Sequence, residues 1–495
     1  MERLDHWIDG KPLESSSGRT SAVFNPATGK QTAEVGLADV AEVDLAVASA
    51  RLAFESWRDV SLAKRTEILF RYRELVHRNR TEIARRLTLE HGKVLSDAMG
   101  EVARGLENIE FACGIAQLLK GGFSEQASTD IDVYSIRQPL GVVAGITPFN
   151  FPAMVPMWMY PNAIACGNTF ILKPSEKDPS APLFTMELLA EAGLPPGVVN
   201  LVQGDKVAVD RLLEHPDVAA VSFVGSTPIA RYVYETGTSH GKRVQALGGA
   251  KNHMVVLPDA DVDLAADAAI SAGYGSAGER CMAISAVVAV GDIGDRLVDA
   301  ISARLDDVTV GDGLDEDSQM GPLITAQHRD RVAAYVAGAA GAGATVVRDG
   351  RADDLDESGF FLGVSLLDHV TESMDCYRDE IFGPVLTVLR VGTYEEALHL
   401  LEDNPWGNGT AIFTRDGGAA RKFVREAPAG MVGVNVPIPV PVAYYSFGGW
   451  KASLFGDTHV YGPEGVQFYT RGKVVTSRWP DPATSTVDLG FPETR

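Results

Sequence analysis

Apolar runs recur at Gly141–Ile146, Thr169–Leu172, Val198–Val202, Ala219–Val224 and Arg243–Leu247, with helical or turn-rich segments between them. A spacing of roughly 20 to 30 residues from strand to strand is what crossover connections between parallel strands need. The alternation therefore predicts an α/β fold with a doubly wound parallel sheet. After Gly249 it resumes as a second α/β unit. Strands are expected at Met254–Leu257, Ala286–Val290, Thr345–Val347, Val385–Val391 and Thr410–Phe413, and helices near Asp295–Leu305, Thr325–Ala340, Tyr394–Glu402 and Ala419–Glu426. Upstream, apolar residues three and four apart from Asp39 to about Leu118 predict amphipathic helices. The alternating piece Asp132–Arg137 and the tail Gln467–Val475 read as strands outside both units, and Pro437 to Pro441 marks a loop.

The doubly wound unit lacks the G-x-G-x-x-G turn of dinucleotide-binding sheets. In its place Val224 is followed by Gly225-Ser226-Thr227-Pro228 and a helical run, with Ser226 suited to the N-cap and Pro228 to the first turn. A helix N-terminus opening at the carboxyl edge of a sheet can receive a pyrophosphate, although capped turns of this kind are also common as plain structure. A second strand end reads Leu172-Lys173-Pro174-Ser175-Glu176-Lys177. A carboxylate there can accept ribose hydroxyls and oppose a 2′-phosphate, with Lys173 sharing the ribose; the alternative is a solvated charged turn.

The most reactive text is Gly273-Tyr274-Gly275-Ser276-Ala277-Gly278-Glu279-Arg280-Cys281. A neighbouring cation or helix N-terminus favours the thiolate, the nucleophilic form of cysteine, and glycines let the backbone approach a bound molecule. The other reading of Cys281 is a small buried hydrophobe.

With 44 basic and 66 acidic residues in 495, the net charge of −22 opposes nucleic acid and anionic membranes as partners. Cys113, Cys166, Cys281 and Cys376 form no C-x-x-C pair, which argues against a zinc site or a disulfide framework and for a reducing compartment. The charged N-terminus is unlike a signal peptide, and the most apolar long run, Ala153–Cys166, is short and broken by Pro156 and Pro161. The expectation is a cytoplasmic protein without a metal.

Seven segments in order, Thr147-Pro148-Phe149-Asn150-Phe151-Pro152, Lys173-Pro174-Ser175-Glu176, Phe223-Val224-Gly225-Ser226-Thr227, Leu247-Gly248-Gly249-Ala250-Lys251, Gly278-Glu279-Arg280-Cys281, Glu380-Ile381-Phe382-Gly383-Pro384 and Phe447-Gly448-Gly449-Trp450-Lys451-Ala452-Ser453, resemble the aldehyde dehydrogenase superfamily along essentially the whole chain. The resemblance implies Cys281 as nucleophile, with the Asn150 amide and the Cys281 N–H holding the oxyanion. It implies NAD as cofactor, with Lys173, Glu176, Lys177 and Ser226 on its adenosine and pyrophosphate side, Glu380 on the nicotinamide ribose, and Thr147 and Phe149 along its path. It further implies an NAD-binding domain from residues 1–120 and 141–249, a catalytic domain over 250–440, and oligomerisation strands in 121–140 and 465–485 of a homodimer or homotetramer.

Hydrolytic members of the superfamily carry a glutamate about 34 residues before the nucleophile; here that position is Leu247, or Ala246 if the register slips by one. Neither can take a proton from water. The texts Ala250-Lys251-Asn252-His253, Gly278-Glu279-Arg280-Cys281-Met282-Ala283 and Phe468-Tyr469-Thr470-Arg471-Gly472-Lys473 are similar to the CoA-acylating, methylmalonate-semialdehyde branch. That branch implies coenzyme A as co-substrate, acetyl-CoA or propionyl-CoA with carbon dioxide as products, and Arg104 and Arg280 as holders of the substrate carboxylate. For the two arginines the alternative is an ion pair with Glu101, Glu107 or Glu279. The alternatives to the whole reading are a hydrolytic aldehyde dehydrogenase and a non-catalytic binding protein on the same scaffold.

Overall fold

The computed structural model describes residues 2–480, 482, 483, 486, 487, 489 and 490. Its first sheet has eight strands in the spatial order Leu454–Phe455, Arg243–Leu247, Val218–Val224, Val142–Ile146, Thr169–Lys173, Val199–Leu201, His6–Ile8 and Lys11–Leu13. The five strands expected between residues 141 and 249 are its parallel centre. They read as continuous apolar runs because both faces are covered. Val142, Ala144 and Ile146 pack with the helices Val40–Trp57, Lys206–Glu214 and Thr227–Ser239, while Val143 joins the core with Leu95–Cys113 and Met154–Ala165. Every residue of Met154–Ala165 is buried, so the most apolar stretch of the chain is a central core helix. Among the described residues no helix is long and apolar enough to cross a membrane.

From Val142–Ile146 the chain moves to Thr169–Lys173 on one side and later returns to Val218–Val224 on the other. The order reverses between Val142–Ile146 and Val218–Val224, and sheets of this kind bind ligands beyond the carboxyl ends at that point. Thr147 to Asn150 and Gly225 to Thr227 leave from those two ends.

The second sheet runs Thr345–Arg348, Ser365–Asp368, Val385–Val391, Ile284–Val290, Asn252–Val256, Gly409–Phe413 and Met431–Val434, parallel except for its first strand. Only Gly248 to Lys251 separate the carboxyl end of Arg243–Leu247 from the amino end of Asn252–Val256, so the two sheets meet end to end. The carboxyl edge of the first faces the amino edge of the second.

Periodicity missed the strands Ser365–Asp368 and Met431–Val434 and the helix Val262–Tyr274, whose N-cap Asp261 accepts from the Leu264 N–H and whose buried face is largely alanine. Small side chains on a helix carry little amphipathic contrast. The tail strand begins later than expected: Gly462–Phe468 is a short helix with proline in its first turn and Phe468 fully buried, and the strand is Thr470–Arg478. That strand pairs antiparallel with Ile131–Pro139, which also pairs with Phe123–Ser128. Residues 481, 484 and 485 of the expected 465–485 segment lie outside the described residues.

Candidate active site

Cys281 sits between the helix Val262–Tyr274 and the strand Ile284–Val290, at the amino edge of the second sheet. It is half-buried, while Cys113, Cys166 and Cys376 are buried. The approach to it is a left-handed turn: Ser276, Ala277 and Gly278 have φ of 55°, 52° and 72°. For the two non-glycine residues this costs roughly 1–2 kcal/mol each, offset by their surroundings. The glycines here accommodate the protein itself. A Cβ at Gly275 would collide with the Arg280 guanidinium, and one at Gly278 with the Gly383 carbonyl. Beyond the turn, Asn252 Nδ2 (2.9 Å) and Asn408 Nδ2 (3.1 Å) both donate to the Cys281 carbonyl. Asn252 also donates to Ala283 O and accepts from the Gly409 N–H, so three strand ends fix the nucleophile's backbone.

Asn150, 4% exposed, lies at the carboxyl edge of the first sheet. Its position depends on a buried ion pair that sequence reading did not find. Lys93 Nζ donates to Glu101 Oε2 at 2.7 Å and to the Asn150 carbonyl at 2.6 Å, and stands 4.3 Å over the Phe151 ring. Glu101 Oε1 accepts from the N–H groups of Ala153 and Met154 at the head of the next helix. Glu101 is thus committed to Lys93 and to that helix, and is no partner for either arginine.

Of the residues expected along a cofactor path, Thr147, Phe149, Lys173, Glu176, Lys177 and Ser226 lie at that carboxyl edge, and Glu380 precedes the strand Val385–Val391 of the second sheet. Lys177 Nζ stands 4.6 Å over the Phe149 ring, which stacks on His91 and meets Phe382 edge-on. Lys173 pairs with Glu176 at 3.1 Å. Ser226 is exposed at the N-cap of Thr227–Ser239 without a side-chain bond into the helix, contrary to a simple capping role. Glu380 Oε1 accepts from the Ala250 N–H at 3.0 Å and lines a small cleft with Cys281, Arg280 and Phe382. Thr147 is buried and its hydroxyl has no hydrogen-bond partner among the described residues.

Cys281 packs against the core cluster that contains the aromatic side chains of Trp158, Phe447 and Tyr461. Trp158 packs against Phe447 at 4.9 Å and Tyr461 at 5.3 Å between ring centroids. Arg104 projects from the helix Leu95–Cys113, donating to Glu107 Oε2 (2.8 Å), Val440 O (3.1 Å) and Pro441 O (2.9 Å). Glu107 was among the alternatives foreseen for it. Arg280 Nη2 instead donates to Asp97 Oδ1 at 2.8 Å, a partner the sequence did not suggest. Asp97 and Arg104 lie seven residues apart on one helix, two turns along the same face. In this state both guanidinium groups are charge-paired to that helix. Leu247 and Ala246 are 2% and 0% exposed, and neither offers a base.

A partly exposed cysteine at the amino edge of one sheet and a buried asparagine at the carboxyl edge of the other are a residue set suited to covalent attack on a carbonyl. A model of the aldehyde dehydrogenase family matches residues 13–475. The chain belongs to the aldehyde dehydrogenase family. It is 55% identical over 487 residues to a malonate-semialdehyde dehydrogenase of Pseudomonas aeruginosa, covering 98% of both chains, and 48% identical to one of Halalkalibacterium halodurans, covering 97% of this chain and 99% of the relative. Among solved structures, a Sinorhizobium meliloti protein described as a methylmalonate-semialdehyde dehydrogenase and complexed with NAD superposes with a TM-score of 0.97 at 53% identity, covering 98% of this chain and 99% of that one. The methylmalonate-semialdehyde dehydrogenase of Oceanimonas doudoroffii does so at 0.96 and 53%, with the same coverage.

The acid–base state of this aldehyde dehydrogenase differs from what the text around Cys281 predicts. Burial pushes the Cys281 thiol up to about 12, Glu380 adds to the rise, and Arg280 opposes it only weakly. The physical reason is that Arg280 is already neutralised by Asp97, whereas removal from water penalises the thiolate directly. Burial likewise raises Glu380 to about 7 and Glu279 to about 8.

Glu279 is fully buried; Oε1 accepts from the Ile324 N–H at 3.3 Å, and the carboxylate lies 3.7 Å from His91 Nε2 and 3.5 Å from His328 Nε2. Burial holds both imidazoles below their ordinary value, so neither supplies a cation near neutrality. The unfolded carboxyl titrates at about 4.3. Its folded value is higher, so the stability that depends on the protonated form is fully present below the unfolded value and is lost as pH rises to about 8. Glu279→Gln keeps the shape and removes the charge. It is expected to stabilise the fold at pH 8.5 by on the order of 2 kcal/mol and to leave it nearly unchanged at pH 5. Thermal unfolding at the two pH values checks this, and an equal shift at both would show that the carboxyl is not held neutral.

Proposed function

We propose that this aldehyde dehydrogenase oxidises malonate semialdehyde or its 2-methyl form with NAD, transfers the acyl group from Cys281 to coenzyme A, and releases acetyl-CoA or propionyl-CoA with carbon dioxide. The observation that carries the reading is the buried, aliphatic Leu247 at the carboxyl end of Arg243–Leu247, in a chain whose one partly exposed cysteine is Cys281. Cys281 and Asn150 match the family's nucleophile and oxyanion donor in the sequence, and an aliphatic side chain stands at the water-activating position.

The donor set at the two sheet edges fits NAD. Exposed Ser226 at the helix N-terminus suits the pyrophosphate, Lys173, Glu176 and Lys177 the adenosine side, and Glu380 the nicotinamide ribose, with Thr147 and Phe149 between them. When bound, NAD supplies a hydride acceptor. Cys281 sulfur adds to the aldehyde carbon, and the Asn150 amide and the Cys281 N–H hold the resulting oxyanion. After oxidation the acyl group is a thioester on Cys281, and the CoA sulfur displaces that thiol. The carboxylate β to a thioester carbonyl leaves as carbon dioxide because the carbonyl takes up the electron pair as an enolate, which is then protonated. Arg104 and Arg280 hold that carboxylate once the substrate competes with Glu107 and Asp97.

Residues 1–120 and 141–249 are assigned to NAD, 250–440 to catalysis, and 121–140 with 465–485 to self-association as a homodimer or homotetramer. The exposed Phe123 and Val474 on the three-stranded sheet support the last assignment. A net charge of −22 and scattered cysteines suit a cytoplasmic enzyme.

Product analysis tests the function. With malonate semialdehyde, NAD and CoA, acetyl-CoA is expected in equal amount to NADH by mass spectrometry. Free acid as the main product would replace this reading with the hydrolytic one.

A further inference from the structure

Tyr461 stands out among the described residues around the site. It is 2% exposed and carries a bulky aromatic side chain at φ 46° and ψ −169°, a backbone region that such residues rarely occupy. Strain of this kind persists only where surrounding contacts enforce it, and it concentrates at binding sites. The contacts are present. Ser446 Oγ donates to the Tyr461 carbonyl at 3.0 Å, the ring meets Trp158 edge-on, and the hydroxyl donates to the Pro441 carbonyl at 2.9 Å. That carbonyl also accepts from Arg104 Nη2 at 2.9 Å. Burial keeps the phenol protonated, and it lies within electrostatic reach of Arg104, Cys281 and Glu107. The hydroxyl therefore braces the same loop carbonyl that accepts from Arg104.

Arg104 has five N–H donors, and three acceptors engage its two terminal nitrogens, leaving donors for a ligand whose direction depends on where Val440 and Pro441 hold the group. We propose that Tyr461 is a specificity-determining positioning residue: through the Pro441 carbonyl its hydroxyl sets Arg104 to receive the substrate's acid group. This rests on the reading of Arg104 as a carboxylate holder.

Tyr461→Phe keeps the ring and its packing and removes one hydrogen bond. With malonate semialdehyde, NAD and CoA it is expected to raise KM about fivefold with kcat within about twofold. With propanal, which has no carboxylate, kcat/KM is expected to stay within about twofold of the parent, and this also reports that the variant is folded. In an Arg104→Ala background the same substitution is expected to cost nothing further on the acid substrate. An equal loss on both aldehydes, no loss on either, or an undiminished loss without Arg104 would overturn the inference. Arg104→Ala alone separates the two levels. If it weakens the acid substrate roughly ten- to hundredfold more than propanal while Tyr461→Phe does not discriminate, only the role of Tyr461 fails. If Arg104→Ala does not discriminate either, the carboxylate-holder reading fails with it.

Discussion

Cys281→Ala is expected to reduce NADH formation by about a thousandfold or more, since the covalent route loses its only nucleophile. The structure makes this a clean test. The Cys281 carbonyl is held by Asn252 and Asn408 irrespective of the side chain, so the loop is expected to keep its course when the sulfur is removed. No other cysteine can substitute, because Cys113, Cys166 and Cys376 are buried whereas Cys281 is partly exposed. NAD binding, measured by calorimetry, should be largely unchanged, because the proposed cofactor contacts come from Lys173, Glu176, Ser226 and Glu380. Turnover within tenfold of the parent would remove Cys281 from the chemistry.

The second large effect follows from Leu247. Mixing enzyme, NAD and malonate semialdehyde without CoA should produce NADH in a burst of about one equivalent per active site, followed by slow turnover, because the acyl-enzyme forms and then waits for a nucleophile. Leu247 is 2% exposed at the end of Arg243–Leu247 and pairs with Val224 on one side and Leu454 on the other. An aliphatic side chain packed between strands takes no proton from water, and Ala246 next to it takes none either. Adding CoA should raise the steady rate, since its thiol is a better nucleophile than unactivated water. Stopped-flow absorbance distinguishes the outcomes. Rapid, linear NADH formation without CoA would mean that another group activates water, and the acylating reading would fall.

The sequence determined what is local or repetitive. The five strands between residues 141 and 249 are legible because a sheet covered on both faces demands uninterrupted apolar runs at crossover spacing. Arg243–Leu247 and Val385–Val391 were placed to the residue. Cys281, Asn150 and the position held by Leu247 can be named from text because their chemistry is written in adjacent residues and in family order. Where alanine carried a helix face, as in Val262–Tyr274, the pattern was too faint to register.

Tertiary structure alone decided the charges and the supports. Arg280 meets Asp97 across 183 residues and Arg104 meets Val440 across 336, so no window of sequence contains either pair. The Lys93–Glu101 pair is short in sequence, yet its purpose appears only when Asn150, 57 residues from Lys93, accepts the same ammonium. The thiol shows the difference most directly. Next to an arginine in the text, Cys281 should ionise readily; in the fold the arginine is paired elsewhere and water is removed, so the thiol rises to about 12. Ionisation depends on the whole three-dimensional surroundings of the sulfur, and desolvation is set by the fold rather than by the residues beside it in the chain.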